Sequence, residues 1–199
     1  MILNKLSLAL AIAFFAVLSW GEPNTSVEDV AFSHASIGIE GGEIYPFGVL
    51  EDAVENTLYG GLNFRYAYWE NVDGVVMFHY AYFKPVPEAV PYDGVHQAMG
   101  KVGMDVQLPW INFAKLGAGF ACNWTRADYD EKHRPHFESQ GGTLTDNETE
   151  FGWFARLNLP VLSLENYRIG MNLLWEQVWT LPERSNMLSV GLYVERRIW

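Results

Sequence analysis

Strict alternation within single segments is the feature that most constrains this chain. Leu62, Phe64, Tyr66 and Tyr68 share one parity, and Gly61, Asn63, Arg65 and Ala67 share the other. Successive side chains of a strand point to opposite faces, so this segment has an aromatic, greasy face and a small, polar one. The pattern recurs. Val76, Phe78, Tyr80 and Tyr82 alternate with Met77, His79 and Ala81, and Leu116, Ala118, Phe120, Cys122 and Trp124 alternate with Gly117, Gly119, Ala121 and Asn123. A sheet that is apolar on one face and small and polar on the other fits a bilayer only when closed, because lipid cannot satisfy the backbone groups of an open edge.

Read with a period of two, the chain holds about eight strands separated by turn residues. They are Ser36 to Tyr45, Leu58 to Trp69, Val75 to Lys84, Gln97 to Leu108, Lys115 to Arg126, Glu150 to Leu159, Tyr167 to Val178 and Met187 to Ile198. Most run about 10 to 12 residues, enough for a tilted strand to cross a bilayer and longer than a usual globular strand. The connections alternate in length, with Glu70 to Gly74 and Pro109 to Phe113 short, and Pro46 to Asn56, Pro85 to Val95 and Ala127 to Thr149 long. Pro160 to Asn166 and Thr180 to Asn186 are intermediate. Brief turns at one end and longer loops at the other predict an all-β fold, a transmembrane up-and-down antiparallel β-barrel.

The first segment reads as an export signal. Lys5 supplies the positive charge, Leu6 to Leu18 the apolar run, and Ser19 and Gly21 the small residues a signal peptidase reads. A membrane anchor is the other reading, but about 13 apolar residues fall short of the ~20 a spanning helix needs. The expected organisation is a signal peptide over 1–21, a short periplasmic segment over 22–33 and a barrel over 34–199.

Composition narrows the partners. A formal net charge of -11 argues against nucleic acid, whose phosphates need a basic footprint. The single Cys122 leaves no internal disulfide, thiolate zinc site or lipid-modified cysteine after the signal, and its parity puts it toward lipid. No glycine-rich phosphate loop or zinc motif appears, so neither a cofactor nor a metal is expected. The soluble alternative is an exported barrel whose apolar parity faces inward. Against it, the second parity carries Gly38, Gly61, Gly103, Gly117, Gly119, Gly152 and Gly170, poor choices for an exposed strand but suited to a narrow interior. Aromatics also gather near strand ends, among them Tyr45, Trp69, Tyr82, Trp124, Trp153, Trp175 and Trp179, as interfacial girdles do.

With those features in place, the chain from about His34 to Trp199 resembles the small outer-membrane β-barrels of the OmpA/OmpX type. Ser189, Gly191, Val194 and the terminal Trp199 resemble the C-terminal strand signal that the outer-membrane assembly machinery reads in that family. Trp199 is out of phase with Leu188, Val190, Leu192 and Val194, and Arg196 falls on the lipid side. A basic residue near an interface can snorkel.

The inward parity also carries charges of both signs: Glu40, Arg65, His79, Lys101, Asp105, Glu150, Arg156, Arg168, Glu176, Glu195 and Arg197. Buried charges are tolerated when paired, so Glu40, Asp105 and Glu195 are expected to hold Arg65 and Arg156 at one height, with His79, Lys101 and Glu176 completing a lumen plug. A constricted ion path lined by the same residues is the other reading. Some small outer-membrane barrels modify lipids, and the nearest catalytic candidate here is His34 and Ser36 with Glu40 on the same parity. His133 and His136 fall in the long acidic loop, where Asp128, Asp130, Glu131, Asp146 and Glu148 form a solvated face or a divalent-cation bridge to lipopolysaccharide. The function expected is structural or surface-interactive, through external loops. The expected protein is a monomer of the cell outer membrane that is not an enzyme and that meets lipid, lipopolysaccharide and the assembly machinery. A lipid-modifying acyltransferase or deacylase and a narrow channel are the alternatives.

Overall fold

The computed structural model describes residues 34–69, 71–86, 92–108, 110–130, 132, 145–179 and 184–198. The proposed signal, the 22–33 segment, His133, His136 and Trp199 lie outside them. The chain forms β1 (Ala35–Phe47), α1 (Val49–Ala53), β2 (Thr57–Trp69), β3 (Val72–Phe83), β4 (Tyr92–Leu108), β5 (Ile111–Tyr129), β6 (Thr145–Ser163), β7 (Tyr167–Val178) and β8 (Ser185–Arg197). Each strand pairs antiparallel with the one before it, and β8 closes onto β1 through Ser36↔Arg197 to Phe47↔Asn186. Closure leaves no strand edge for lipid to contact. At the lower end, where β1 begins and β8 ends, only two or three residues separate β2 from β3, β4 from β5 and β6 from β7. The upper end carries α1 and the longer connections.

Several strands are longer than their sequence pattern suggests. β4 begins at Tyr92 rather than Gln97, and β5 and β6 stay paired up to Asp128↔Thr145. Above the apolar belt both faces are wet, so hydrophobic alternation fades while the backbone ladder continues. Ala127 to Tyr129 and Thr145 to Thr149, expected as loop, therefore belong to β5 and β6. β6 also runs through Pro160 to Ser163, with a register shift between Pro160 and Leu162, where proline has no N–H to give the ladder.

The alternation assigns the faces as read. Leu58 (75% exposed), Phe120 (68%), Phe78 and Leu192 lie on the exterior, while Asn63, Arg65, His79, Asp105 and Asn172 are buried in the lumen. A continuous apolar exterior of this extent is incompatible with water, which excludes the soluble barrel. Cys122 is on the exposed, outward parity. Arg196, also outward, sits with its guanidinium 6.0 Å from the Tyr167 ring at the lower rim, which accounts for a basic residue on the lipid side.

The interior corrects one expectation, because it is not uniformly small and polar. Met77, Phe154 and Leu174 form a fully buried apolar layer across the middle. A Cβ on Gly103 or on Gly119 would lie 2.7 Å from the Phe154 ring, so the two glycines supply the space this large side chain fills. A second cluster, including Ile44, Tyr59, Phe83, Met99, Val178 and Met187, lies toward the upper end, with Leu50 and Ala53 of the α1 segment packed on it. Val54 pairs with Pro85, and Val86 donates to the Ala53 carbonyl at 2.9 Å, strapping that segment to the β3–β4 connection.

Candidate functional site

Two polar layers occupy the lumen below the upper cluster. In the lower one, Arg65 reaches Asp73 at 2.9 Å, Asp105 at 2.6 Å and Glu195 at 3.2 Å. Arg156 is bound to both oxygens of Asp105, its Nε at 2.7 Å from Oδ1. Lys115 contacts Asp73 at 2.6 Å, and Arg168 stands 3.9 Å from Glu195 nearer the rim. Arg65, Lys115 and Arg156 thus face Asp73, Asp105 and Glu195, each ion paired and nearly all of them buried. Such a layer is costly to break from one side, because the remaining partner would keep its charge without water.

The register explains who meets whom. Asp105 and Arg156 are both opposite Gly117, on its two sides, so the acid and the base stand two strands apart with no side chain between them. A Cβ on Gly117 would press against both. Glu195 lies over Gly38 in the same way, 2.8 Å from where a Cβ would be.

Glu40 corrects the expected single network. It contacts neither Arg65 nor Arg156 directly; its Oε1 faces His79 Nε2, and its Oε2 accepts from Asn63 and Asn172, each at 3.2 Å. The reason is again a glycine: Glu40 and His79 flank Gly61, which leaves the imidazole room to cross. The rest of this second layer is Lys101, 3.2 Å from His79 Nδ1 and 3.0 Å from Glu176, with Asn123 donating to Glu176 at 2.6 Å. Since an ammonium only donates, His79 Nδ1 must accept, which assigns the proton to Nε2, facing Glu40.

All eight lumen residues read from the sequence are therefore inside and bonded, but in two layers. Asp73 and Lys115 were missed. The sequence pattern puts Asp73 in a turn and Lys115 at a strand start, although extending the inward parity of Val75 and Gly117 by one step reaches each. The His34, Ser36 and Glu40 candidate does not assemble. Four residues of strand separate Ser36 from Glu40, roughly 13 Å, and Glu40 is occupied by His79. His34, at the lower rim, is held below the ordinary histidine range by burial and by Arg197 and Arg168.

Two further features went unread. His96, on the outward face near the top of β4, lies 2.6 Å from the Tyr80 hydroxyl and 3.5 Å from Asp128, with the Tyr82 ring tilted against it at 4.8 Å. At the upper mouth a cavity of about 200 Å³ lies between the apolar cluster and the inward face of β4 to β6, where Gln97, Thr125, Asp146, Glu148 and Glu150 line it. Burial, then Glu150 and Asp146, raise the Glu148 carboxyl above the usual range. Of the assembly residues, Val194 is exposed on the exterior, and Gly191 faces the lumen, where a Cβ would meet the Tyr59 hydroxyl.

No protein-family model matches the chain, and no curated protein matches it by sequence. Solved structures do match by fold. The attachment invasion locus protein Ail of Yersinia pestis, in complex with the heparin analogue sucrose octasulfate, superposes with a TM-score of 0.56 at 12% identity, covering 84% of this chain and 100% of that one. Neisserial surface protein A (NspA) gives 0.52 at 11%, covering 81% and 96%, and OprG of Pseudomonas aeruginosa gives 0.51 at 10%, covering 84% and 98%. The fold is that of the small eight-stranded outer-membrane barrels, as the resemblance implied. With its lipid-facing belt and its short turns at one end, this is an outer-membrane-type transmembrane barrel.

Proposed function

We propose that this outer-membrane barrel is a monomeric scaffold with a closed lumen, whose activity is surface interaction at its upper, external end. The observation that carries the reading is Arg65, tied to carboxylates from β3, β4 and β8 at once. With Arg156 on Asp105 and the Met77, Phe154 and Leu174 layer above, the interior of an eight-stranded barrel is filled by side chains. Lipid and lipopolysaccharide meet the apolar belt, and the outer-membrane assembly machinery reads the last strand at Gly191, Val194 and Trp199. The reading includes no cofactor and no catalysis. The dispersal of His34, Ser36 and Glu40 supports it, as does the capture of His96 by a phenol and a carboxylate rather than a serine.

Ail is named for attachment and was solved with a polyanion. The acidic mouth here favours a contact of the opposite charge, since Asp146, Glu148 and Glu150 would repel sulfate groups. A liposome-swelling assay with small sugars and amino acids tests the closed lumen against the narrow channel. No swelling above protein-free vesicles is expected; swelling that falls off with solute size would replace the scaffold with a pore.

A further inference from the structure

The cavity at the upper mouth has two unlike walls. One consists of Phe83, Val178 and Met187, with Leu50 and Val54 from the α1 segment above them. The other carries carboxylates, the Gln97 amide and hydroxyls, among them that of Thr125, with no cationic group. Asp146 and Glu148 alternate along the inward face of β6, and Gln97 and Thr125 stand opposite each other on β4 and β5. Gln97 is 6% exposed, yet its Oε1 has no hydrogen-bond partner, and neither has the buried Oγ1 of Thr125. Among the described residues lining the cavity there is no lysine, arginine or histidine.

Buried acceptors without donors are rare in folded proteins, because each forfeits its hydration for nothing in return. Here they sit beside the Asp146 and Glu148 carboxylates, on a wall without positively charged donors among its described residues. A divalent ion does not fit. Among the described residues no cluster of three metal-ligating side chains occurs. The apolar wall is equally informative, since a bare ion would leave it without a partner. The volume is below the roughly 300–1,000 Å³ of drug-sized sites, so the occupant is small.

We propose that this vestibule binds a small amphipathic amine, its ammonium group donating to Asp146, Glu148 and Gln97 and its apolar body lying against Phe83, Val178 and Met187. An ammonium carries three donors, matching the donor-poor wall, and the α1 segment strapped over the mouth covers the apolar end. The site is independent of whether the lumen below conducts, because it lies above both polar layers.

The test uses the full chain in phosphatidylcholine nanodiscs, with hexylamine, 1-hexanol and hexanoate as probes and empty nanodiscs subtracted, followed by titration calorimetry. Hexylamine is expected to bind saturably, one per barrel, at least tenfold more tightly than hexanol, with hexanoate not binding. Glu148→Gln combined with Asp146→Asn should weaken hexylamine at least tenfold, in protein shown folded by its heat-modifiable mobility. Val178→Ser should weaken hexylamine while leaving methylammonium unchanged. Equal affinity for hexanol and hexylamine in the unmodified protein would overturn the proposal without reference to any variant, as would unchanged hexylamine binding in the folded double variant.

Discussion

The lower lumen and the upper vestibule are built from the same residue types on the same inward parity, yet their polar groups are in opposite states. In the lower layer every carboxylate meets a guanidinium or an ammonium, and Arg65 alone holds three. In the vestibule the Asp146 and Glu148 carboxylates, with Glu150 beside them, the Gln97 amide oxygen and the Thr125 hydroxyl face a cavity with no lysine, arginine or histidine on its described lining. The first arrangement is self-sufficient and fills space; the second has acceptors left over, available to a ligand. Paired charge therefore marks the structural part of this barrel, and a carboxylate-lined cavity with no cation on its described lining marks the part open to a ligand.

Substitutions should change sign between the two regions. Arg65→Ala strands Asp73, Asp105 and Glu195, and should cost about 3–5 kcal/mol in urea unfolding from lipid, as one-sided loss of a buried pair does. Replacing Lys101 with Met and Glu176 with Leu together should cost clearly less than the sum of the two single changes. Additive losses would show that the pairing is not what matters. Gly117→Val should come next, at about 1–3 kcal/mol, because the new side chain must displace Asp105 or Arg156. An effect near zero there would mean that the acid and base do not need the gap between them.

The vestibule should behave oppositely. Glu148→Gln removes a charge crowded by Glu150 and Asp146 and should stabilise the barrel by a few tenths of a kcal/mol, kept small by solvent screening at this open rim. The pH dependence has a definite sign. The Glu148 carboxyl is raised in the fold, so the folded state binds the extra proton more readily than the unfolded one. Its contribution is then most favourable below the ordinary carboxylate range and is lost as pH rises through the raised value. Glu150, Asp146 and, across the mouth, Tyr92 are the titratable groups that share its surroundings. The stability gained by Glu148→Gln should accordingly shrink as pH falls into the acid range. A gain that does not vary with pH would place its origin outside charge crowding.

What the sequence made legible follows from the period of two. Inside a bilayer each residue faces either lipid or lumen, so Phe120 and Asn172 are assigned to opposite faces by parity alone. That parity also places Arg65, Asp105, Arg156 and Glu195 inside, but it does not tell which acid meets which base. Glu40 was matched to the arginines because height was judged from strand direction; the register and the gap at Gly61 give it to His79 instead. Asp73, in a short connection by its sequence pattern, and Lys115, at a strand start, lie where the alternation is just beginning and parity gives no warning of them. The vestibule was hidden for a related reason: the upper parts of β5 and β6 are polar on both faces, and only pairing such as Thr125↔Glu148 reveals that Asp146 and Glu148 point inward. His96 sits on the lipid-facing parity, where a histidine has no periodic signature.

The central claim is that paired charges close the lumen, and single-channel recording in planar bilayers tests it most directly. The unmodified protein should show no steady conductance across the usual voltage range. A steady ohmic conductance from the unmodified barrel would contradict the account, because the same residues would then line an open path.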